Sequence, residues 1–256
     1  MNAYMNRSED VYKTEIISLR DDFDRGIAEG AGLIRMGELV AFPTETVYGL
    51  GGDALRSEAA STIFAAKGRP GDNPLIVHIA DTEDAFRLAY VTPEAERLMD
   101  AFWPGPLTII LRKKPVIPYT VSGGLETVGL RMPAHAGALA LIRAAGTPIA
   151  APSANRSGKP SPTNAQDVYE DMHGRIPLIL DGGACSYGME STVLSMVSTP
   201  TILRPGMLLP EMIAQVTGYV ELGENVLRPV EEGAPVLSPG MKYRHYAPSG
   251  RLTMVE

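Results

Sequence analysis

The sequence predicts an α/β fold, in which an open twisted mixed sheet is flanked by helices and carries a large concave ligand crevice. Three observations predict it. Short apolar runs alternate with segments of helical periodicity over most of the 256 residues. Several neighbouring runs have no helical segment between them, so the sheet is expected to mix parallel and antiparallel strands. Glycines and prolines cluster beside the ends of the apolar runs, where open α/β sheets build their ligand crevices.

Each element is predicted from its own pattern. Apolar runs predict strands over 38–42, 75–79, 107–111, 127–131, 148–151, 177–180, 191–197 and 201–203. Helical spacing predicts helices over 22–36, 57–67, 82–89, 93–102, 135–145 and 164–172. Thr92 followed by Pro93 is a typical helix start, and Gly68 after Lys67 is a typical helix end. From about Gly218 the sequence becomes Pro-rich and aperiodic, which predicts an irregular linker or lid.

Composition excludes several classes of protein. The 30 acidic and 23 basic residues give a formal net charge of −7, which argues against a whole-chain grip on nucleic acid or anionic membrane and leaves a local basic cleft open. Cys185 is the single cysteine, so a disulfide framework and a Cys-rich zinc module are excluded. The polar N-terminus is no signal peptide, and no run approaches the roughly 18 apolar residues of a membrane span. We expect a cytoplasmic protein with no membrane contact.

The common nucleotide and nucleophile motifs are absent or weak. No P-loop is present. Residues 49–54 satisfy G-x-G-x-x-A, but 43–46 interrupt the strand that a dinucleotide fingerprint needs, so these glycines are interpreted as turn residues. Cys185 is interpreted as a small residue in a Gly-rich turn. The four histidines, at 78, 135, 173 and 245, lack metal-ligand spacing.

Polar side chains at strand ends and in tight loops carry the chemistry that remains. Alternation places Thr127 and Arg131 on one face of a strand, and an arginine on a strand built for burial requires an anionic partner. The same parity over 43–49 groups Thr44, Thr46 and Tyr48. Four cations lie beside loops rich in hydroxyl groups and glycine, as a polyphosphate site without a P-loop needs. They are Lys67, Arg69, Arg131 and Arg204.

Each of these residues also has an ordinary structural interpretation. Lys67 and Arg69 are compatible with a solvated helix end that favours the helix dipole. Thr44, Thr46 and Ser191 are compatible with plain strand residues, His78 with a hydrogen-bonded core histidine, and Asn155 with a turn former. Spacing alone therefore predicts an anion or nucleotide cleft and no more.

Seven longer motifs resemble those of one family. They are FPTETVYGLG (42–51), KGRPGDNPLIVHI (67–79), FWPGPLTIIL (102–111), TVGLRMP (127–133), APSANRSGKPSPT (151–163), ESTV (190–193) and LRPG (203–206). Together they resemble the Sua/YrdC/YciO family, whose signature includes Lys67-x-Arg69 and Ser153-x-Asn155. SPGMKYRHYAP (238–248) is similar to the interdomain linker of the long, Sua-type members.

The resemblance implies a domain organisation. A YrdC-like catalytic domain is expected over 15–217, a linker or lid over 218–250, and the start of a truncated C-terminal domain over 251–256. Long members continue into a second α/β domain, so that domain is expected to be absent or cut here, and a cut is favoured. Members of the family make a product that is a mixed anhydride, which water destroys. The segment 233–248 is therefore expected to act as a lid that excludes solvent.

The resemblance also implies a reaction and its site. The family condenses L-threonine, bicarbonate and ATP, with Mg²⁺, to threonylcarbamoyl-AMP and pyrophosphate, and a tRNA-modifying transferase receives the product. No covalent nucleophile is implied, and Lys67 and Arg69 are expected to stabilise charge. The residues expected to bind ATP are Lys67, Arg69, Asn73, Thr127, Ser153, Asn155, Ser161, Arg204 and Tyr243. Those expected to bind threonine are Thr46, His78, Arg131, Ala151 and Ser191, with Arg131 taking the carboxylate.

Two other functions stay open at this point. One is a carbamoyl-adenylate-forming enzyme, like the related domain of hydrogenase-maturation carbamoyltransferases, although a single cysteine excludes the zinc fingers of those proteins. The other is an RNA-binding module of the same fold, with weak contact to tRNA through the concave face, which the acidic balance argues against.

Overall fold

The computed structural model describes residues 11–68 and 73–227, and these residues form eleven strands and eight helices. In chain order they are β1 (Glu15–Ser18), α1 (Phe23–Met36), β2 (Val40–Phe42), β3 (Gly49–Asp53), α2 (Ser57–Lys67), β4 (Ile76–His78), α3 (Glu83–Leu88), α4 (Pro93–Phe102), β5 (Leu107–Arg112), β6 (Thr127–Arg131), α5 (Ala136–Ala145), β7 (Ile149–Ala151), α6 (Ala165–Met172), β8 (Leu178–Asp181), β9 (Thr192–Ser195), β10 (Thr201–Arg204), α7 (Pro210–Thr217), β11 (Glu221–Leu222) and α8 (Glu224–Leu227).

The strands form one mixed sheet in the order β1-β8-β2-β3-β7-β4-β6-β5-β9-β10-β11. The central strand β4 runs parallel to β6 and antiparallel to β7. Buried apolar residues form two large clusters, one of them where α1 packs against α5. The α/β class and the mixed sheet predicted from the sequence are confirmed. Among the described residues no helix has the length and apolar character that a membrane crossing requires.

Local signals at helix ends work as the sequence predicts. The Thr92 side chain accepts a hydrogen bond from the Ala95 N–H at 3.2 Å, with Pro93 in the first turn of α4. Gly68 ends α2 in the left-handed conformation, with φ of 63°. The end of α2 therefore fixes where Lys67 lies.

The glycines of 49–53 form the strand β3, so their interpretation as turn residues is wrong. A Cβ on Gly51 would lie 2.7 Å from Ile149 Cγ2 and 2.8 Å from Phe42 Cε1. Glycine is required here because the Phe42 ring lies against the flat strand, a close approach that a side chain would block. Local sequence carries no signal of this contact.

Several other segments differ from the predictions. β1, β11, α7 and α8 were not predicted, since each is short or lies at an edge. Residues 43–48 are not a strand, so the alternation assumed for Thr44, Thr46 and Tyr48 does not apply. Residues 221–227, placed by the sequence in an irregular linker, include β11, which extends the sheet beside β10. The rest of that linker and the segment 251–256 lie outside the described residues, and the domain boundaries stay predictions.

Candidate functional site

A cavity of about 340 Å³ opens at the ends of the central strands, a size typical of small-molecule sites. Its lining comes from the 44–49 loop, from β4 and from the last residue of β6. Residues at the ends of β7 and β10, and those just before β9, complete it. The lining residues are Thr44, Thr46, Val47, Tyr48, Gly49, Pro74, Leu75, Ile76, His78, Arg131, Ala151, Pro152, Ser153, Met189, Glu190, Ser191, Arg204 and Pro205.

The structure brings the predicted threonine-binding residues to this one cavity. All five line it, although they come from five separate stretches of the chain: Thr46, His78, Arg131, Ala151 and Ser191. Two residues of the predicted ATP-binding group, Ser153 and Arg204, line it as well. The cavity therefore joins parts of both predicted subsites.

The other described residues of the predicted ATP-binding group are not among those that line the cavity. Asn73 is fully buried next to the lining residue Pro74. The Ser161 hydroxyl donates to Glu190 Oε1 at 2.6 Å, which places it beside the cavity. Thr127 is half-buried at the start of β6, at the opposite end of that strand from Arg131. Arg69 and Tyr243 lie outside the described residues.

Lys67 holds the turn that carries Ser153 and Asn155. Its Nζ donates to the Ser153 carbonyl, to the Asn155 carbonyl at 2.7 Å and to Asn155 Oδ1 at 3.2 Å. Ser153 Oγ donates to the same Oδ1 at 2.5 Å. The Asn155 amide donates to two further carbonyls, so the side chain is a turn former and part of this network. A buried ammonium with its three protons directed to protein oxygens is an organising centre for the turn.

Arg131 is buried in an ion pair that the sequence analysis missed. Its Nη2 donates to Glu45 Oε1 at 2.7 Å, and both side chains are at most 6% exposed. Its Nε donates to the Gly105 carbonyl at 3.3 Å. The second Glu45 oxygen, Oε2, accepts from the Ala134 N–H at 3.0 Å. The anionic partner that a buried arginine requires is therefore supplied by the protein.

Two threonines set the polarity of the 44–49 loop. Thr44 Oγ1 donates to the Val47 carbonyl at 2.6 Å and lies 2.9 Å from Thr46 Oγ1. Because Thr44 has given its single proton to Val47, the Thr46 hydroxyl donates to Thr44. The lone pairs of Thr46 Oγ1 are then the part of this hydroxyl that can accept a hydrogen bond from a ligand.

Ser191 is fixed from two sides. Its hydroxyl lies 2.8 Å from Thr108 Oγ1, which is fully buried on β5. Arg204 Nη2 donates to Ser191 Oγ at 3.1 Å and to its carbonyl at 3.0 Å. The loop after β10 packs closely here, since a Cβ on Gly206 would lie 2.4 Å from the Thr192 nitrogen. This close packing fixes Ser191 and Arg204 together.

His78 is a buried neutral imidazole. Burial, and secondarily the charge of Arg131, lower its pKa to about 3. Its Nδ1 is buried and has no hydrogen-bond partner within the ranges 11–68 and 73–227. The ring packs edge-on against Phe42, with centroids 5.8 Å apart. His78 is thus a core residue that also lines the cavity, and its role in binding threonine stays a prediction.

Two further results bear on reactivity and metal binding. Burial raises the pKa of the Cys185 thiol to about 11, which disfavours a nucleophilic thiolate and agrees with its structural interpretation. In the described parts of the chain, no group of three His, Cys, Asp or Glu residues is arranged to hold a metal ion.

The fold and the cavity define a class of protein: an α/β protein with a small-molecule crevice lined by one buried and one half-buried arginine. Residues 32–206 match the Sua5/YciO/YrdC family model, described as "Telomere recombination". Since this match covers more than half of the chain, the chain belongs to the Sua5/YciO/YrdC family. Residues 209–256 match a second model, "Threonylcarbamoyl-AMP synthase, C-terminal domain". This match corrects the expectation that the C-terminal domain is absent.

Relatives and solved structures agree with this assignment. The chain is 52% identical over 246 residues to threonylcarbamoyl-AMP synthase of Pyrococcus abyssi, covering 95% of this chain and 72% of the relative. It is 52% identical over 236 residues to the Bacillus subtilis protein of that name, covering 91% and 67%. Pyrococcus abyssi Sua5 complexed with L-threonine superposes with a TM-score of 0.86 at 52% identity, over 92% of this chain and 69% of that one.

Proposed function

We propose that this chain is a threonylcarbamoyl-AMP synthase, which condenses L-threonine, bicarbonate and ATP to threonylcarbamoyl-AMP and pyrophosphate. The observation that carries the proposal is the convergence of Thr46, His78, Arg131, Ala151 and Ser191 on one cavity. Relatives that are 52% identical carry the same name, and one is solved with L-threonine bound.

Threonine would bind through complementary charges and hydrogen bonds. Arg131 would take the carboxylate, because it is the guanidinium that lines the cavity beside the central strand β4. The lone pairs of Thr46 would accept from the amino group, as the hydrogen bonds of Thr44 direct them. The neutral His78 can hydrogen-bond the substrate hydroxyl without adding charge. Ala151 limits the space near the substrate methyl.

ATP would lie toward Ser153 and Arg204, which line the same cavity. We propose that magnesium enters with the nucleotide, because Mg²⁺ at phosphates is usually held by phosphate oxygens and water with one or two protein carboxylates. The donor set fits this arrangement, since Glu190 lines the cavity and supplies a carboxylate. Bound magnesium would reduce the negative charge of the phosphates.

The chemistry needs orientation more than a reactive side chain. The threonine amine adds to CO₂ derived from bicarbonate to give a carbamate, and a carbamate oxygen then attacks the α-phosphorus as pyrophosphate leaves. Both reacting partners are anions, so Lys67, Arg204 and the predicted Arg69 would offset their repulsion. Holding the two substrates in one crevice supplies the entropic part of the rate enhancement.

The product would pass to a tRNA-modifying transferase, and we place the reaction in the cytoplasm, where ATP and tRNA occur together. The proposed lid over 233–248 lies outside the described residues. It stays a prediction that Tyr243→Ala weakens ATP binding or raises hydrolysis of the product.

The test is pyrophosphate release from ATP, with threonine, bicarbonate and magnesium each omitted in turn. Release that requires all three is expected. Arg131→Gln should raise the KM for threonine at least tenfold, whereas Arg143→Gln, which removes an exposed arginine paired with Asp81, should not. Pyrophosphate release without threonine, or none under any condition, would overturn the proposal. In that case tRNA binding at low salt would test the RNA-binding alternative.

A further inference from the structure

Glu45 lies directly behind the cavity and does not line it. Its side chain is 5% exposed, and both carboxylate oxygens are used: Oε1 accepts from Arg131 Nη2 and Oε2 from the Ala134 N–H. Its own carbonyl accepts from the Tyr187 N–H at 2.9 Å. One residue therefore ties together the 44–49 loop, the end of β6, the β6–α5 connection and the Gly-rich loop after β8.

These contacts fix the plane of the Arg131 guanidinium. Nε is held by the Gly105 carbonyl and Nη2 by Glu45. Nη1 has no hydrogen-bond partner among the described residues, and Arg131 lines the cavity. The guanidinium carries five N–H donors in a rigid fork. Once two are fixed by the protein, the two donors on Nη1 and the second donor on Nη2 remain for a planar carboxylate.

The charge of Glu45 matters as well as its position. A buried guanidinium without a partner binds any small anion that reaches it, because an uncompensated buried charge is strongly unfavourable. With Glu45 in place the pair is neutral before substrate binds. The cavity then selects its ligand by the geometry of the fork rather than by net charge.

We infer that Glu45 is a positioning residue for substrate binding: it aims Arg131 at the carboxylate of the amino-acid substrate and prevents Arg131 from binding inorganic anions. This inference rests on the proposed function, in which Arg131 binds the threonine carboxylate. Glu45 acts through Arg131 and touches no substrate.

The test compares two ligands that differ only at the carboxylate, L-threonine and L-threonine amide. Glu45→Gln keeps the size of the side chain, but its amide places the oxygen at one of the two positions that Arg131 and the Ala134 N–H now face. The NH2 group at the other position is itself a donor, so one of these two hydrogen bonds is lost. Asp53→Asn is the matched control, because Asp53 Oδ1 accepts from Thr147 Oγ1 at 2.7 Å and from the Leu55 N–H at 3.0 Å without lining the cavity. Affinities are measured by calorimetry on the full chain, in chloride and in a bulky sulfonate (isethionate) at equal ionic strength.

Glu45→Gln should lower the preference for threonine over its amide at least tenfold and introduce competition by chloride, whereas Asp53→Asn should change neither. An equal loss of affinity for both ligands, with no competition by chloride, would show that Glu45 has a merely structural role and would overturn the inference. If Glu45→Gln does not fold, Glu45→Asp should lower the preference for threonine over its amide without introducing competition by chloride, because the negative charge is kept and the side chain is shorter. An unchanged preference in Glu45→Asp would also overturn the inference.

Binding separates this inference from the proposed function. A wild-type protein that binds threonine without releasing pyrophosphate would refute the synthase and leave the positioning test intact. A wild-type protein that binds neither ligand would refute both.

Discussion

Thr192 is the first residue of β9, and its side chain joins this strand to the loop that follows β10. Its replacement by valine tests the reasoning on this site. The hydroxyl donates to the Leu208 carbonyl at 3.0 Å and accepts from the Leu208 N–H at 3.0 Å, and the side chain is fully buried. Valine has nearly the same shape, so Thr192→Val removes this pair of hydrogen bonds and adds no cavity.

The expected loss follows from the groups left behind. A buried N–H and a buried carbonyl of Leu208 would each lack a partner, at about 1–3 kcal/mol per group. We therefore expect Thr192→Val to lower the free energy of unfolding by about 2–6 kcal/mol. Thr192→Ser keeps the hydroxyl and removes one methyl group, so it should lower the free energy of unfolding by about 1 kcal/mol. The pair of variants separates hydrogen bonding from packing.

Urea unfolding followed by circular dichroism gives both free energies, and an unchanged m-value keeps the comparison valid. Because the same loop carries Pro205 at the cavity, Thr192→Val should also raise the KM for ATP more than Thr192→Ser does. A Thr192→Val protein within 0.5 kcal/mol of wild type, a figure on the order of the additivity error, would refute the reasoning. A Thr192→Ser protein that loses as much as the valine variant would refute it equally.

Three further predictions concern packing, acid stability and thiol reactivity. Gly51→Ala should destabilise the protein by about 1–3 kcal/mol, because its Cβ would lie 2.7 Å from Ile149. Gly32→Ala, whose Cβ would have its nearest packing contact at 4.0 Å, should stabilise the protein by about 0.5–1 kcal/mol. The same urea titration measures both free energies. His78 has a folded pKa of about 3, so below its unfolded pKa of about 6.5 the unfolded state binds more protons, and the stability it contributes is lost as pH falls from 6.5 toward 3. The urea midpoint of His78→Asn should therefore fall less steeply with acidification than that of wild type, and equal slopes would contradict the buried neutral state. Cys185 should react slowly with iodoacetamide at pH 8, because burial raises its pKa to about 11, and Cys185→Ala should keep pyrophosphate release; rapid labelling would contradict its structural role.

The parts of the fold that follow from local chemistry could be predicted from the sequence. The N-cap at Thr92 and the left-handed Gly68 depend on neighbouring residues, and both were predicted correctly. β3 was missed because it depends on Phe42, whose ring lies on glycines that read locally as a turn. Local propensity carries no signal for a contact between strands that is made possible by an absent side chain.

The candidate site likewise has residues that the sequence predicted and one, Glu45, that it did not. The long motifs led to five residues that line one cavity, because their resemblance to a known family carries information about the whole fold. Glu45 lies in the motif FPTETVYGLG, but the sequence did not predict a role for it. Strand parity over 43–49 placed Thr44 and Thr46 on the functional face, whereas the loop turns at 45–47 and brings Glu45 to Arg131. The signal available was the residue type, since a carboxylate in an apolar segment needs a buried cation.

Two buried cations and one half-buried cation of this site are each engaged by the protein before substrate arrives. Lys67 is held by three oxygens of the 153–155 turn, Arg131 by Glu45 and Arg204 by Ser191. A chain with a net charge of −7 does not draw ATP to its surface by long-range attraction. Arg131 and Arg204, which line the cavity, therefore act at short range, as donors whose directions are set by carboxylate, carbonyl and hydroxyl partners, and Lys67 acts through its charge and through the turn that it holds. Such preorganisation suits a reaction between two anions, because the groups that offset their repulsion need no rearrangement when the reacting atoms meet.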